Sequence, residues 1–483
     1  MTVPPTSRWS PAGLSSHTHP RRPALGHHQL MPRLLPDFHA VIDGTASDRD
    51  RSIDVARLGA LLVVMFGHCA LLLATITADG VQIGNTLGAV PSLQPATWVL
   101  QVMPLFFFAG AAAGIHSWRD GTPWGTWLFT RAQRLCRPAL WYLGAWTVAL
   151  IVVRFTMGAE SAAALGNEAV ALLWFLGTYL IVLAFVPALA RLRSARSAAL
   201  VVAALMAAAA FGDWARISTH MLEAGAANLI VVWLIPMVIG AAYAHRLTAP
   251  KPALVVAVGT LAVQVLVARY GPYEVSLVVT GTERMSNVTP PTLLLALQCV
   301  WMSSLFIACA GAVRRWAERP RIWYLIVVGN SGAMTLYLWH IAAIAVATFS
   351  LHAVGLDAYD PAAPYFWRNI AIRALVFAVV MTVMFLLLSP LEHNPLRWWD
   401  ARVRATGRAS TVAGVLVCAA GVALLLMAKN GLGTSAGWML LALFIGALTG
   451  ARLSAGRTQC ALTNVTVGVD EPLTKVGPEA DKT

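Results

Sequence analysis

Apolar residues along this chain fall in long runs separated by short polar connections. From residue 54 onward twelve such runs recur, at 54–76, 95–118, 134–153, 166–187, 195–211, 226–244, 252–269, 290–313, 322–350, 368–389, 409–428 and 433–452. A helix crossing the hydrocarbon core of a bilayer needs about 20 apolar residues. Run 195–211 is short for that and run 322–350 is long. The pattern predicts an all-α, polytopic transmembrane helix bundle of about twelve spans. No internal repeat is visible, and no connection is long enough to hold a folded soluble domain.

Charge orients the bundle. With the N-terminus inside and strict alternation, the inside segments carry 28 of the 35 Lys and Arg residues, and the outside segments carry 7: Arg154, Arg216, Arg269, Arg284, Arg368, Arg373 and Lys429. That bias follows the positive-inside rule. It predicts a multi-pass protein of the cell membrane with both termini cytoplasmic. Composition agrees: 58% of residues are apolar and 12% charged, against roughly 25% charged in soluble domains, which excludes an ordinary soluble enzyme. The net charge of +13 belongs to basic cytoplasmic loops, and no nucleic-acid partner is expected.

Residues 1–50 hold seven prolines and scattered His and Arg without apolar periodicity. They are expected to form a disordered cytoplasmic arm without the apolar core of a leader; Met31 is an alternative start. A membrane domain over 51–400, two further helices over 401–452 and a disordered cytoplasmic tail over 453–483 complete the plan. His17, His19, His27, His28 and His39 are irregularly spaced, so no metal site is expected. The six cysteines form no CxxC pair and read as small apolar side chains.

Ionisable groups inside spans are the first place to look for chemistry, because each costs about 2.5–3.5 kcal/mol at a helix centre even on insertion scales. In the first span Arg57 and His68 are eleven residues apart, three turns plus about 20°, on one face and about 16 Å apart along the axis. Alone, Arg57 reads as a snorkelling anchor and His68 as a packing histidine. Together they read as a path from the cytoplasmic mouth to a buried base, a role suited to neutral imidazole. Asp54 is three residues from Arg57 and can pair with it.

Before the third span, Arg131, Arg134 and Arg137 recur every three residues. They serve either as topological charge in contact with anionic lipid or as a phosphate clamp, which the bidentate guanidinium suits. In the ninth span Tyr337 neighbours His340, a second candidate base. Glu392 lies between two prolines at the inner interface, beside Trp398 and Trp399, which fit an aromatic belt; its expected role is pairing with a loop arginine. No dinucleotide fingerprint, Walker loop or HExxH motif is present.

These residues resemble a known family. The IDVAR run followed after ten residues by His68 is similar to the first-helix signature of the acyltransferase 3 family. FFFAG in the second span resembles its second-helix motif, and Arg131-Ala-Gln-Arg134 its Arg-x-x-Arg motif. LWFL at 173–176, the Ser331-to-LYLWH segment and Pro-Leu-Glu392-x-x-Pro also follow the pattern, so the resemblance runs from about 52 to 400. It implies an integral membrane O-acyltransferase that moves an acyl group, acetyl by default, from cytoplasmic acyl-CoA to a hydroxyl of a carbohydrate or other small acceptor.

By resemblance Arg57 and His68 are catalytic, and Arg131 and Arg134, with Arg137 beside them, hold the donor. Asp54, Tyr337, His340 and Glu392 are supporting, and Tyr337 or His340 is a potential oxyanion donor. Acyl-CoA (acetyl-CoA) would be a co-substrate, with no cofactor bound permanently. The acceptor would be a glycan, a lipid-linked sugar or a small molecule, and the lipid bilayer is the remaining partner. The chain departs from the family in its two added spans and in lacking room for the esterase-like domain of some members. A twelve-span secondary transporter is the alternative reading, and a non-catalytic lipid-binding or assembly protein is a third.

Overall fold

The computed structural model describes residues 36–46, 49–77 and 80–456 of the 483. Most of the N-terminal arm, Cys460 and the tail lie outside the described residues. Within the stretch expected to be disordered, Phe38–Asp43 forms a short helix capped by the Asp37 side chain. It packs on Pro320–Ser331, where Trp323 donates its indole N–H to the Thr45 hydroxyl at 2.8 Å.

Among the described residues eleven helices are long and apolar enough to cross a membrane. Runs 134–153 and 166–187 fall in one of these, the stretch Trp124–Leu183, as two helices that meet at a kink. The stretch is broken at Gly158, where φ is 91°. As one straight helix, 60 residues would extend about 90 Å, three times a membrane's core. The left-handed backbone at Gly158, readily adopted by glycine, is where the helix is interrupted. The long run 322–350 divides at Gly332 into Pro320–Ser331 and Ala333–His352, and only the second is of spanning length.

The first span, Arg51–Leu71, starts with Asp50 accepting from the Ser52 N–H at 3.0 Å. It ends five residues earlier than its apolar run. Leu72–Thr77 instead pairs antiparallel with Gly80–Asn85, Leu72 opposite Asn85 and Thr77 opposite Gly80. This hairpin is the one sheet among the described residues, and the architecture is otherwise an all-α bundle.

The core centres on Met103–Ser117, Asn228–Ala244 and Leu293–Ala317. Phe107 stacks on Trp233 with centroids 4.7 Å apart, and both rings are fully buried. The polar loop after Pro250–Tyr270 is tied down by Asp213. Its carboxylate accepts from the Tyr273 hydroxyl at 2.8 Å, the Leu293 N–H at 2.7 Å and the Asn228 side chain at 3.1 Å.

Gly407–Asn430 and Ser435–Gly456 are built into the bundle. Gly125 lies against the Ser410 carbonyl and Gly177 against the Gly421 carbonyl, too close in each case for a Cβ. Leu432 donates its N–H to the Gly166 carbonyl at 3.0 Å. Such small-residue contacts let helix backbones approach where lipid offers no hydrophobic drive.

Candidate active site

Arg57, Leu61, Val64, His68 and Leu71 recur at helical spacing along one stripe of the first span, and all five line a cavity of about 1870 Å³. Arg57 and His68 therefore face the same space, as their spacing predicts. Arg134, Tyr179, Tyr337 and Glu392 line it too. At the opposite end from Arg57 its wall is formed by the hairpin, the loop carrying Thr280 and Thr282, and Tyr359.

His68 is hydrogen-bonded to a second histidine. Its Nδ1 is 3.0 Å from Nε2 of His340, and Nδ1 of His340 is 2.7 Å from the Tyr337 carbonyl oxygen. A carbonyl only accepts, so Nδ1 of His340 carries a proton. In a neutral imidazole the other nitrogen then accepts, so His68 donates from its own Nδ1. That assignment leaves the Nε2 lone pair of His68 unprotonated. His340 is fully buried and acts as a fixed acceptor behind a ring that borders the cavity. Tyr337 reaches His340 through its backbone carbonyl. Its hydroxyl donates to the Leu172 carbonyl, so neither Tyr337 nor His340 has a free donor for an oxyanion, contrary to the sequence expectation.

Arg57, Arg131 and Tyr179 lie within electrostatic range of one another, as do Arg131 and Arg134. Arg131 sits with its guanidinium 5.5 Å from the centroid of the Trp127 ring, a cation–π contact. Arg134 is exposed on the cavity wall. Between them, Gln133 is locked to Trp399: each donates a side-chain N–H to the other's backbone carbonyl. Trp399 is thus buried at 3% exposure rather than part of a surface belt. Arg137 is drawn away into an ion pair with Asp400 at 3.0 Å and does not share the cavity.

Two expected pairings are replaced. Asp54 is held by Arg49, with Nε at 2.8 Å and Nη2 at 2.9 Å from its two oxygens, rather than by Arg57. This bidentate pair leaves the Arg57 guanidinium free of a carboxylate among the described residues. Among the described residues Glu392 is not paired with an arginine; it accepts from the N–H of Thr335 at 2.9 Å and its hydroxyl at 2.8 Å, at the first turn of Ala333–His352. A carboxylate there suits the helix dipole.

Sequence reasoning missed Tyr179 and Arg373. Tyr179 follows LWFL by three residues and packs on Gly110 of FFFAG so closely that a Cβ at Gly110 would overlap its ring. Arg373 counts as an outer charge in the sequence, but it is 1% exposed and donates from Nη2 to the Cys69 carbonyl at 2.6 Å. Its charge inside an apolar run was the available signal. Of the cysteines, Cys69, Cys136 and Cys299 are buried, Cys418 is half-buried and Cys309 is exposed.

The sequence model of an acyltransferase domain matches residues 50–389, a segment that contains Arg57, His68, Arg131, Arg134 and His340. No curated protein and no solved structure matches the chain. The matched segment covers more than two thirds of the sequence and ends close to Glu392, so the chain belongs to the acyltransferase 3 family of membrane enzymes.

Proposed function

We propose that this enzyme takes an acyl group, acetyl by default in the family, from cytoplasmic acyl-CoA and transfers it to a hydroxyl on a carbohydrate or other small acceptor arriving from the outer side. The observation that carries this reading is the hydrogen-bonded order Tyr337 carbonyl, His340, His68, which leaves a basic nitrogen beside a cavity that Arg57 and Arg134 also line.

In the reaction, Nε2 of His68 takes the proton of the acceptor hydroxyl as its oxygen attacks the thioester carbonyl carbon. The C–O bond forms, the C–S bond breaks, and the departing thiolate takes the proton back from His68 as free CoA. Base catalysis of this kind contributes roughly 10²–10⁴-fold. The largely apolar wall around His68, with Leu61, Val64 and Phe106 among its residues, would limit the water that could otherwise hydrolyse the thioester. Arg131 and Arg134 would receive the phosphates of the donor at the cytoplasmic mouth, and Arg57 would line the passage inward.

The test is transfer of labelled acetyl from acetyl-CoA by the purified full-length chain in lipid nanodiscs. His68→Ala should abolish transfer while the protein stays folded and inserted; retained transfer removes His68 from the chemistry. Arg131→Ala with Arg134→Ala should weaken acetyl-CoA binding, and unchanged affinity would reduce that pair to a topological role.

A further inference from the structure

The family match stops at residue 389, yet the last turns of Gly407–Asn430 put Leu425, Leu426, Ala428 and Lys429 on the wall of the cavity that holds His68. Glu168 lines the same cavity from the stretch after Gly158. The two segments are fastened to each other, since Leu432 donates to the Gly166 carbonyl at 3.0 Å and the glycine at 431 packs against Asn167. Glu168 is half-buried, and among the described residues its carboxylate has no ion-pair partner. A half-buried carboxylate without a charged partner on the wall of an open cavity is free to accept hydrogen bonds from a bound molecule.

We propose that this corner, built partly by the helix pair outside the family match, is the head-group subsite for an amphiphilic acceptor with a neutral, hydroxyl-rich head; this rests on the acyl-transfer reading above. Hydroxyls of the head donate to Glu168. The apolar tail lies along Leu425, Leu426 and Leu229, which line the same cavity. The choice of a neutral head follows from charge. Glu168 accepts hydrogen bonds and offers none while it is ionised, so a hydroxyl-bearing head suits it and an anionic head placed against it is repelled. A free sugar gains nothing from the leucine wall.

The experiment uses the full chain in nanodiscs with acetyl-CoA and three acceptor probes: octyl β-glucoside below its micellar concentration, octyl β-glucuronide and glucose. Octyl β-glucoside should show a KM at least about tenfold below the other two, the scale of a lost apolar tail or an added charge clash. Glu168→Gln should raise its KM by about tenfold, as loss of a charge-assisted hydrogen bond does, with CoA affinity measured without acceptor unaltered. Leu426→Trp, at a side chain 43% exposed and thus tolerant of size, should raise the KM for octyl β-glucoside and leave that for glucose unchanged. Equal KM values for glucose and octyl β-glucoside, or variants that behave as the wild type, overturn the proposal. No transfer to any probe by protein that binds acetyl-CoA also overturns it and leaves the acyl-transfer reading standing. Failure to bind acetyl-CoA removes that reading and this proposal together.

Discussion

His68 and His340 are 272 residues apart in sequence and 3.0 Å apart in space, Nδ1 to Nε2. One ring comes from the first span and the other from Ala333–His352, so the pair exists only when those two helices are packed. The direction of the hydrogen bond is fixed one step further back, by the Tyr337 carbonyl that only accepts.

This order predicts a graded series at position 340. His340→Leu removes the acceptor, frees the His68 ring to rotate or change tautomer, and should lower kcat by about 10²-fold, as expected for a mispositioned base. His340→Gln offers an amide oxygen near the place of Nε2 and should recover part of that loss. Steady-state kinetics on the two variants decide the matter. Equal losses would show that packing, not acceptance of the His68 proton, is what the position supplies.

Gly110 gives the second prediction. A methyl group there would overlap the Tyr179 ring, whose hydroxyl is the nearest atom. Tyr179 lines the cavity and lies within electrostatic range of Arg57 and Arg131. Gly110→Ala should therefore lower stability by roughly 1–3 kcal/mol, the usual range for overpacking, and weaken CoA binding as the ring is displaced. Adding Tyr179→Phe removes the nearest atom and should restore part of both. Thermal unfolding and CoA titration of the single and double variants are the measurements.

The first-span stripe was legible in the sequence because both residues sit on one helix, where a spacing of eleven settles the face. The His68–His340 contact was not, since nothing in either local pattern reports distance across the bundle. Asp54 was legible as a pairing group but not in its choice of partner: Arg57 satisfies the helical spacing, while Arg49 reaches both oxygens from outside the helix. The end of the first span was misread because LLATIT is as apolar as a helix. Its β-branched Thr75, Ile76 and Thr77 carried the strand signal. The break at Gly158 was legible, because it falls in the connection between runs 134–153 and 166–187.

Arg373 gives the third prediction. Its Nη2 satisfies the Cys69 carbonyl in the last turn of Arg51–Leu71, next to His68, while Nε and Nη1 are buried without partners among the described residues. A cation at a helix C-terminus is favourable, but a buried guanidinium with unmatched donors is unfavourable overall. Arg373→Met should therefore leave thermal stability unchanged or higher and yet lower kcat by about tenfold, because the turn that carries His68 loses its clamp. A fall in stability with unchanged kcat in the folded fraction would make the arginine a purely structural group.

The loop after Pro250–Tyr270 supplies a pH dependence. Burial raises the proton affinity of Glu283, but hydrogen bonds from the Thr280 hydroxyl and from the N–H groups of Thr280, Gly281 and Glu283 itself outweigh it and hold the carboxyl below its ordinary range. The Thr280 hydroxyl donates at 2.6 Å and its N–H at 3.0 Å. A carboxyl whose folded-state pKa is depressed stabilises the fold fully above its unfolded value, about 4.3 for glutamate, and loses that contribution as pH falls through the folded value. Thr280 and Thr282 also border the cavity, so loosening of this loop should reach the cavity wall before the core. Hydrogen exchange over 276–292 should accelerate as pH drops below about 4.3, after correction for the intrinsic rate. In Glu283→Gln, exchange should be fast at every pH, with the pH dependence gone. An unchanged profile in that variant would mean that the Asp213 contacts alone hold the loop in place.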